Sequence, residues 1–187
     1  METSLKIISG KDITNQHTLT QSLIDIDYKC FGDIETEDEG TVDKWDAIED
    51  ACFAHVIFDN DTPVGYIDFV SLRPNGIERL LKGELRDGEV PNYANTTPSP
   101  SLSLYITAIA ILPEYRGRGL SKILWNKSRD YFISNKYYIE ELYSNIWTNE
   151  GQTFFNHFKT ELKNKDGENH HIIKIKLENH QLPLYNI

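Results

Sequence analysis

The spacing of apolar and polar residues changes along the chain and predicts a mixture of strands and helices. Short runs rich in apolar and β-branched residues predict strands at residues 5–8, 53–58, 64–70, 102–112, 143–147 and 171–177. Apolar residues that recur every three or four positions predict helices at residues 15–28, 120–134 and 150–162, with a shorter one at 45–50. The order β-α-α-β-β-(loop)-β-α-β-α-β predicts an α/β fold built around one sheet.

Two of the predicted helices have well-defined apolar faces. The helix at 120–134 should bury a row of five side chains, Leu120, Ile123, Leu124, Tyr131 and Phe132. The helix at 150–162 should turn a second row inward, Phe154, Phe155, Phe158 and Leu162. We expect both helices to pack on the sheet.

Two stretches break the pattern. Residues 31–41 are acidic and contain glycines, which predicts a mobile loop. Residues 72–100 contain four prolines and several Asn and Thr residues, and they are predicted to be irregular apart from a helical turn or two at 77–85. Long loops in compact domains are usually functional or disordered. With no repeats and no sign of a second domain, we predict one domain spanning residues 1–187.

Composition limits the classes of protein that the chain can represent. No apolar run reaches the length of a membrane helix, and the first residues do not resemble a signal peptide. The two cysteines, Cys30 and Cys52, do not predict a disulfide framework, so we expect a reducing, cytoplasmic location. The six histidines show no helical metal-binding spacing, so we predict no metal site.

The negative charge is concentrated in the first third of the chain. The net charge of the protein is −10, and residues 1–60 hold 14 acidic residues against 4 lysines, which also gives −10. This region would repel a nucleic acid backbone and attract a cationic small molecule or peptide. The simpler interpretation is a solvated, solubilising surface, which the sequence alone favours.

The junction between the strand at 102–112 and the next helix carries the clearest chemical signal. It reads Pro113-Glu114-Tyr115-Arg116-Gly117-Arg118-Gly119-Leu120-Ser121. The start of a helix offers unpaired N–H groups and the positive end of the helix dipole, and glycines allow a ligand to approach the backbone closely. This combination binds a phosphate or pyrophosphate. The spacing matches neither a P-loop nor a dinucleotide fingerprint.

These residues resemble the signature Gln/Arg-x-x-Gly-x-Gly/Ala of the GNAT superfamily of N-acetyltransferases. Arg116 and Gly119 match it, and Ser121 replaces the last small residue. The resemblance implies a GNAT-like domain with a mixed, mostly antiparallel sheet and acetyl-CoA as co-substrate. It also implies that the turn holds the pyrophosphate and that the preceding strand pairs with the pantetheine arm. The cofactor-binding residues predicted from it are Ile109, Ala110, Ile111, Arg116, Gly117, Arg118, Gly119, Leu120 and Ser121.

A second segment extends the resemblance and adds Asn149 and Phe155 to the predicted cofactor site. In the family, an Asn after the fifth strand opens a helix and commonly contacts the pantetheine arm. Asn149 has this position, although a role as N-cap is an equal alternative. Many relatives carry a Tyr further along that protonates the CoA thiolate. The corresponding residue here is Asn156 or Phe155, depending on the alignment, and neither is a tyrosine.

The resemblance also leaves the base to be found. Many family members place a Glu where this chain has Thr107, which cannot accept a proton at neutral pH. A more distant carboxylate acting through water can serve. The candidates are Asp68 and the acidic-loop residues Glu35, Glu37 and Asp38. For Asp68, the interpretation that the sequence favours is a solvent-facing position on its strand.

Tyrosines on the predicted strands could replace the missing acid. Tyr105, Tyr143 and Tyr66 qualify if they face the cleft, although most buried tyrosines simply pack. The predicted reaction is therefore acetyl transfer from acetyl-CoA to a primary amine of a cationic small molecule or peptide. The acceptor is expected at residues 12–60 and 72–100, and the acyl-CoA site at 102–160. A non-catalytic acyl-CoA-binding module and a homodimer both remain compatible with the sequence.

Overall fold

The computed structural model describes residues 5–32, 40–97, 99–166 and 170–185. Seven strands form its sheet: β1 (Leu5–Ser9), β2 (His55–Asp59), β3 (Thr62–Ser71), β4 (Ser101–Ile111), β5 (Tyr138–Ile146), β6 (Thr160–Asp166) and β7 (His170–Ile175). The α-helices of the described residues are α1 (Gln16–Phe31), α2 (Thr41–Asp46), α3 (Pro74–Leu81), α4 (Leu120–Ser134) and α5 (Asn149–Phe155). The predicted α/β fold with one sheet is confirmed.

The strands follow the order β1-β2-β3-β4-β5-β7-β6. Every neighbouring pair is antiparallel except β4 and β5, which run parallel. This arrangement confirms the predicted mixed, mostly antiparallel sheet. Helix α1 contacts β3 and β4, whereas α4 contacts β2, β3 and β4.

The parallel pair separates halfway along its length. Register between β4 and β5 runs from Ser101 opposite Tyr138 to Ile106 opposite Ser144 and then stops. Strand β4 nevertheless continues to Ile111. The last part of β4 is therefore paired only with β3, and a gap opens on its other side.

A β-bulge lies in β4 where this gap begins. Asp68 of β3 pairs with Ala108, but its neighbour Phe69 pairs with Ile106, which leaves Thr107 as an extra residue. A bulge of this kind bends a strand and redirects a side chain. Here it marks the point at which β4 leaves β5.

The C-terminal part of the chain differs most from the prediction. Helix α5 ends at Phe155 instead of continuing to Leu162, and Leu162 is 58% exposed on β6. The chain turns after α5, and Phe158 stacks on Trp125 with ring centroids 4.5 Å apart. Strand β6, which the sequence did not predict, then pairs with β7. As a result β6, and not the predicted last strand, forms this edge of the sheet.

Other boundaries need smaller corrections. The short helix predicted at 45–50 lies earlier, as α2, and a 3-10 turn at Glu49–Ala51 follows it. Ile123 of α4 is 38% exposed, while Trp125 is fully buried on the inner face. Residues 72–100 contain α3 and a 3-10 helix at Asp87–Tyr93. Leu80 and Val90 of this segment are buried in a second apolar cluster, which also contains Tyr105 and Tyr143.

Candidate active site

The gap between β4 and β5 opens into a cavity of about 820 Å³. Its walls come from α1, β3, the free part of β4, the start of α4, the end of β5 and α5. Most of the cofactor-binding residues predicted from the sequence line it, namely Ile109, Ala110, Ile111, Arg116, Gly117, Gly119, Leu120, Ser121 and Phe155. Residues between 109 and 121 and Phe155, which are distant in the sequence, therefore line the same cavity.

The free edge of β4 forms one wall of the cavity. Thr107 to Ile111 line it on one side, and Ser144 to Thr148 line it on the other. The Ile111 carbonyl accepts hydrogen bonds from Arg116 Nε at 2.9 Å and from Cys30 Sγ at 3.4 Å. A strand edge without a neighbouring strand can pair with an extended ligand. The amide-containing pantetheine arm of CoA has this character.

The start of α4 forms the basic end of the cavity. Gly117 and Gly119 have φ angles of +75° and +71°, and a Cβ atom at either would point into open space. Helix α4 has no side-chain cap, and no hydrogen-bond partner is found within the described residues for the N–H groups of Leu120 and Ser121. These donors, the helix dipole and Arg116 suit a pyrophosphate.

Two predicted binding residues lie outside the cavity lining. Arg118 donates to the Glu114 carbonyl at 3.0 Å and lies over the Tyr115 ring, 5.0 Å from its centroid. Asn149 is the first residue of α5 and not its N-cap. The cap is Thr148, whose Oγ1 accepts a hydrogen bond from the Gly151 N–H at 3.0 Å.

Asp68 is buried at the opposite end of the free part of β4, beside the bulge. It is 7% exposed, so the interpretation as a solvent-facing strand residue is wrong. Thr107 Oγ1 donates to Asp68 Oδ2 at 3.0 Å, which places the carboxylate beside the bulge in β4. Burial raises the pKa of Asp68 to about 6. Its Oδ1 atom has no hydrogen-bond partner among the described residues.

Asp27 of α1 is a second carboxyl group in the cavity, and sequence reasoning missed it. Tyr66 donates its hydroxyl to Asp27 Oδ2 at 2.5 Å. Burial, together with the negative charges of Asp87 and Asp68, raises the pKa of Asp27 to about 7. A signal was present, because Asp27 follows Leu19 and Leu23 at four-residue spacing. A charged residue is rarely placed on the apolar face of a helix without a functional or structural reason, so this spacing marks Asp27 as a candidate.

Tyr66 is the only one of the three candidate tyrosines that reaches the cavity. Tyr105 is buried in the second apolar cluster, and its hydroxyl lies 3.5 Å from Asp87 Oδ1. Tyr143 belongs to the same cluster, and Lys174 Nζ lies 5.6 Å from its ring centroid. Burial raises the pKa of both phenols. Neither is therefore placed to donate a proton in the cavity.

Charge is distributed unevenly along the cavity. Its lining contains seven acidic residues, Asp27, Asp46, Glu49, Asp50, Asp68, Asp87 and Glu150, and two basic ones, Lys11 and Arg116. The acidic first third of the chain supplies four of these carboxylates. The acidic-loop candidates Glu35, Glu37 and Asp38 lie outside the described residues.

The structure also brings His17, Asp43 and Asp46 together, with possible ligand atoms within 4.8 Å of one another. Both His17 and Asp43 are exposed. His17 Nδ1 lies 2.7 Å from Asp46 Oδ2, and Thr20 donates to Asp46 Oδ1 at 2.6 Å. Both oxygens of Asp46 are thus engaged in hydrogen bonds.

Comparison with known proteins agrees with this geometry. The model of the acetyltransferase (GNAT) family matches residues 20–155. No curated protein matches the chain significantly. In the described part of the chain, no helix has the length and apolarity that crossing a membrane requires.

Three solved structures illustrate the shared fold. The PaiA N-acetyltransferase of Thermoplasma acidophilum, in complex with coenzyme A, is 13% identical with a TM-score of 0.53, covering 93% of this chain and 99% of that one. Naa50 of Arabidopsis thaliana, with the bisubstrate analogue CoA-Ac-MVNAL, is 16% identical with a TM-score of 0.55 and the same coverages. The loading GNATL domain of CurA from Lyngbya majuscula is 16% identical with a TM-score of 0.62, covering 91% and 96%.

Proposed function

The chain belongs to the acetyltransferase (GNAT) family, and we propose that it transfers an acetyl group from acetyl-CoA to a primary amine. The acceptor is a cationic small molecule or peptide. The single observation that carries the proposal is the polarity of the cavity. A backbone anion cradle at the start of α4 lies at one end, and a buried carboxylate at the break in β4 lies at the other.

The described residues fit acetyl-CoA in three ways. The glycine turn leaves room beside its backbone for a pyrophosphate. The free edge of β4 offers peptide groups to the pantetheine arm. Asn145, across the gap, has a buried Oδ1 atom without a hydrogen-bond partner in the described part of the chain. The solved complexes of PaiA with coenzyme A and of Naa50 with a CoA-peptide analogue support this placement.

Asp68 is the proposed base. An amine reacts only when its nitrogen has lost a proton, and bound acetyl-CoA supplies a thioester that the free lone pair attacks. Asp68 accepts that proton, directly or through one water molecule. Its raised pKa of about 6 keeps it ionised at neutral pH while making it a stronger base than an ordinary aspartate. Thr107 fixes the orientation of the carboxylate through its hydrogen bond.

The free edge of β4 beyond the bulge offers N–H groups to the thioester carbonyl. N–H groups beyond Ile106 on β4 have no strand beside them on the β5 side. We propose that one of them, near Ile109 to Ile111, donates a hydrogen bond to the thioester carbonyl and stabilises the negative charge that develops there. Breakage of the C–S bond then releases CoA as a thiolate, which takes up a proton from water because Phe155 cannot supply one.

The predicted location and the predicted absence of a nucleic acid acceptor are compatible with this function. Cys30 and Cys52 are both free thiols, which supports the cytoplasmic location that we propose. Seven carboxylates in the cavity lining oppose a nucleic acid acceptor.

The proposal is tested by release of free thiol from acetyl-CoA in the presence of an amine panel. The panel contains butylamine, diaminobutane and a short peptide with a free N-terminus. We expect thiol release that requires both the protein and an amine. Binding of acetyl-CoA without amine-dependent release would instead support the non-catalytic acyl-CoA-binding module.

A further inference from the structure

The cavity lining contains two carboxyl groups, Asp68, which is buried, and Asp27, which is half-buried. Tyr66 donates to one oxygen of Asp27, and Thr107 donates to one oxygen of Asp68. The Oδ1 atom of each is buried and has no hydrogen-bond partner among the described residues. Both side chains line the cavity, and Asp68 is 7% exposed.

Basic side chains of the described residues do not neutralise this pair. Of the two that line the cavity, Arg116 is bound to the Ile111 carbonyl. Lys11 donates to the Asp50 carbonyl at 3.3 Å and lies over the Phe53 ring. The charge that acts on Asp27 is negative, from Asp87 and Asp68. A buried, unpaired carboxylate oxygen is costly, and a cationic ligand would remove that cost.

The two carboxyl groups mark separate points in the cavity. Tyr66 and Asp68 are two residues apart on β3, which separates their Cα atoms by about 6.6 Å. Asp68 is held close to β4 by Thr107, whereas Asp27 meets the hydroxyl at the far end of the Tyr66 side chain. One amino group of a ligand cannot both react beside Asp68 and remain charged beside Asp27.

We propose that the acceptor is a diamine or polyamine, with Asp68 receiving the reacting nitrogen while Asp27 binds a second amino group that stays charged. Asp87 adds its negative charge at the Asp27 end. Leu23, Ile106 and Ala108 line the same cavity and provide apolar surface for the methylene chain between the amines. This inference rests on the proposed acetyl transfer and names its substrate class.

The test compares two amines that differ only in the second amino group, butylamine and diaminobutane. Thiol release from acetyl-CoA gives kcat/KM for each, and the ratio of the two values measures recognition of the second group. A charge-assisted hydrogen bond to the buried Oδ1 atom of Asp27 predicts a preference for the diamine of roughly tenfold or more. Diaminohexane and a polyamine, spermidine, extend the series.

Asp27→Asn is the decisive variant, because it removes the charge but keeps an oxygen for the Tyr66 hydroxyl. We expect the diamine-to-monoamine ratio to fall towards one. Asp25→Asn is the matched control. It removes the same charge from an exposed position on α1, where Asp25 bonds to Gln21 and does not line the cavity. The ratio should be unchanged in this variant.

Two results would overturn the inference and leave acetyl transfer intact. They are equal kcat/KM for butylamine and diaminobutane in the unaltered protein, and an equal loss for both amines in Asp27→Asn. If no amine is acetylated, the proposed function fails, and calorimetric titration of diaminobutane into the CoA-loaded protein still tests the site. Binding that Asp27→Asn weakens about tenfold, and Asp25→Asn does not, supports the site; absence of binding refutes it.

Discussion

At the scale of single residues, Asp68 shows how the surroundings determine the chemistry of a side chain. An aspartate in the middle of a strand is ordinary on an exposed face. This one lies beside the bulge at Thr107 and is 7% exposed, and its burial raises its pKa to about 6. The sequence identified Asp68 as a candidate but placed it in solvent, because burial depends on which helix packs over β3. Such packing is not visible in the alternation of one strand.

Replacement of Asp68 by Asn tests its role as base. Because the carboxylate must be ionised to accept a proton, kcat/KM for an amine should rise with pH through about 6 in the unaltered protein. Asp68→Asn should lower kcat/KM by about 100-fold or more and remove this acidic limb. Steady-state rates between about pH 5 and pH 9 provide the measurement. Asp130→Asn, at an exposed position on α4, is the control, and a profile for Asp68→Asn that matches it would contradict the assignment.

The same carboxyl groups also make stability depend on pH. The pKa values of Asp27 and Asp68 rise from 3.8 to about 7 and about 6 on folding, so the folded protein binds more protons than the unfolded chain between these values. Their contribution to the free energy of unfolding is therefore greatest below about pH 4 and is lost as the pH rises towards 7. Asn mimics the protonated form. We expect Asp27→Asn to raise Tm at about pH 8 by roughly 2–6 °C and to leave it nearly unchanged at about pH 4.

Thermal unfolding of the unaltered protein, Asp27→Asn and the surface control Asp25→Asn at both pH values would check this. Parallel pH dependence in all three proteins would show that folding does not raise the pKa of Asp27.

At the scale of elements, the sequence predicted well what local pattern determines. The apolar strand β4, the glycine turn and the helix α4 lie where they were expected, because apolar runs and positive-φ glycines are local features. Strand β6 was missed because its residues are largely polar and its place depends on pairing with β7. The separation of β4 from β5 depends on a register between distant segments, so no local pattern reports it.

Gly119 at the start of α4 gives the test of the cofactor site. A carboxylate at this N-cap would repel a pyrophosphate, so Gly119→Glu should weaken acetyl-CoA binding at least tenfold by calorimetry. Gly83→Glu is the matched control, because Gly83 also has a positive φ, of +74°, and does not line the cavity. Gly83→Glu imposes similar backbone strain but places no charge at the start of α4. Equal affinity of both variants for acetyl-CoA would exclude the turn as the pyrophosphate site.

At the scale of the whole molecule, the last described residues hold the cavity walls together. Trp125 Nε1 donates to the Pro183 carbonyl at 2.7 Å, and Asn126 exchanges hydrogen bonds with the backbone of Tyr185 at 3.0 and 3.1 Å. The Tyr185 ring packs against Phe154 with centroids 5.0 Å apart. This segment therefore packs against both α4 and α5, which also meet each other at Trp125 and Phe154 and both line the cavity. This role could not be predicted from local pattern, because residues 178–185 contain little regular structure.

Removal of the Tyr185 ring tests how much this segment stabilises the fold. Tyr185→Ala removes a buried aromatic side chain, so we expect the free energy of unfolding to fall by about 3–5 kcal/mol. Acetyl-CoA should recover part of this loss, since a ligand that binds only the folded state stabilises it. Urea unfolding with and without acetyl-CoA measures both effects, with Leu184→Ala as the control because Leu184 is 51% exposed. Equal stability of the two variants would contradict a structural role for Tyr185.

We propose that one cavity brings the thioester of acetyl-CoA to an amine held beside Asp68. Mass spectrometry of the amine, combined with quantification of free CoA in the same reaction, tests it most directly. We predict that diaminobutane gains one acetyl group for each CoA released, and that Asp68→Asn suppresses both products together. CoA release without acetylated amine would rule out acetyl transfer, and acetylation that persists unchanged in Asp68→Asn would rule out Asp68 as the base.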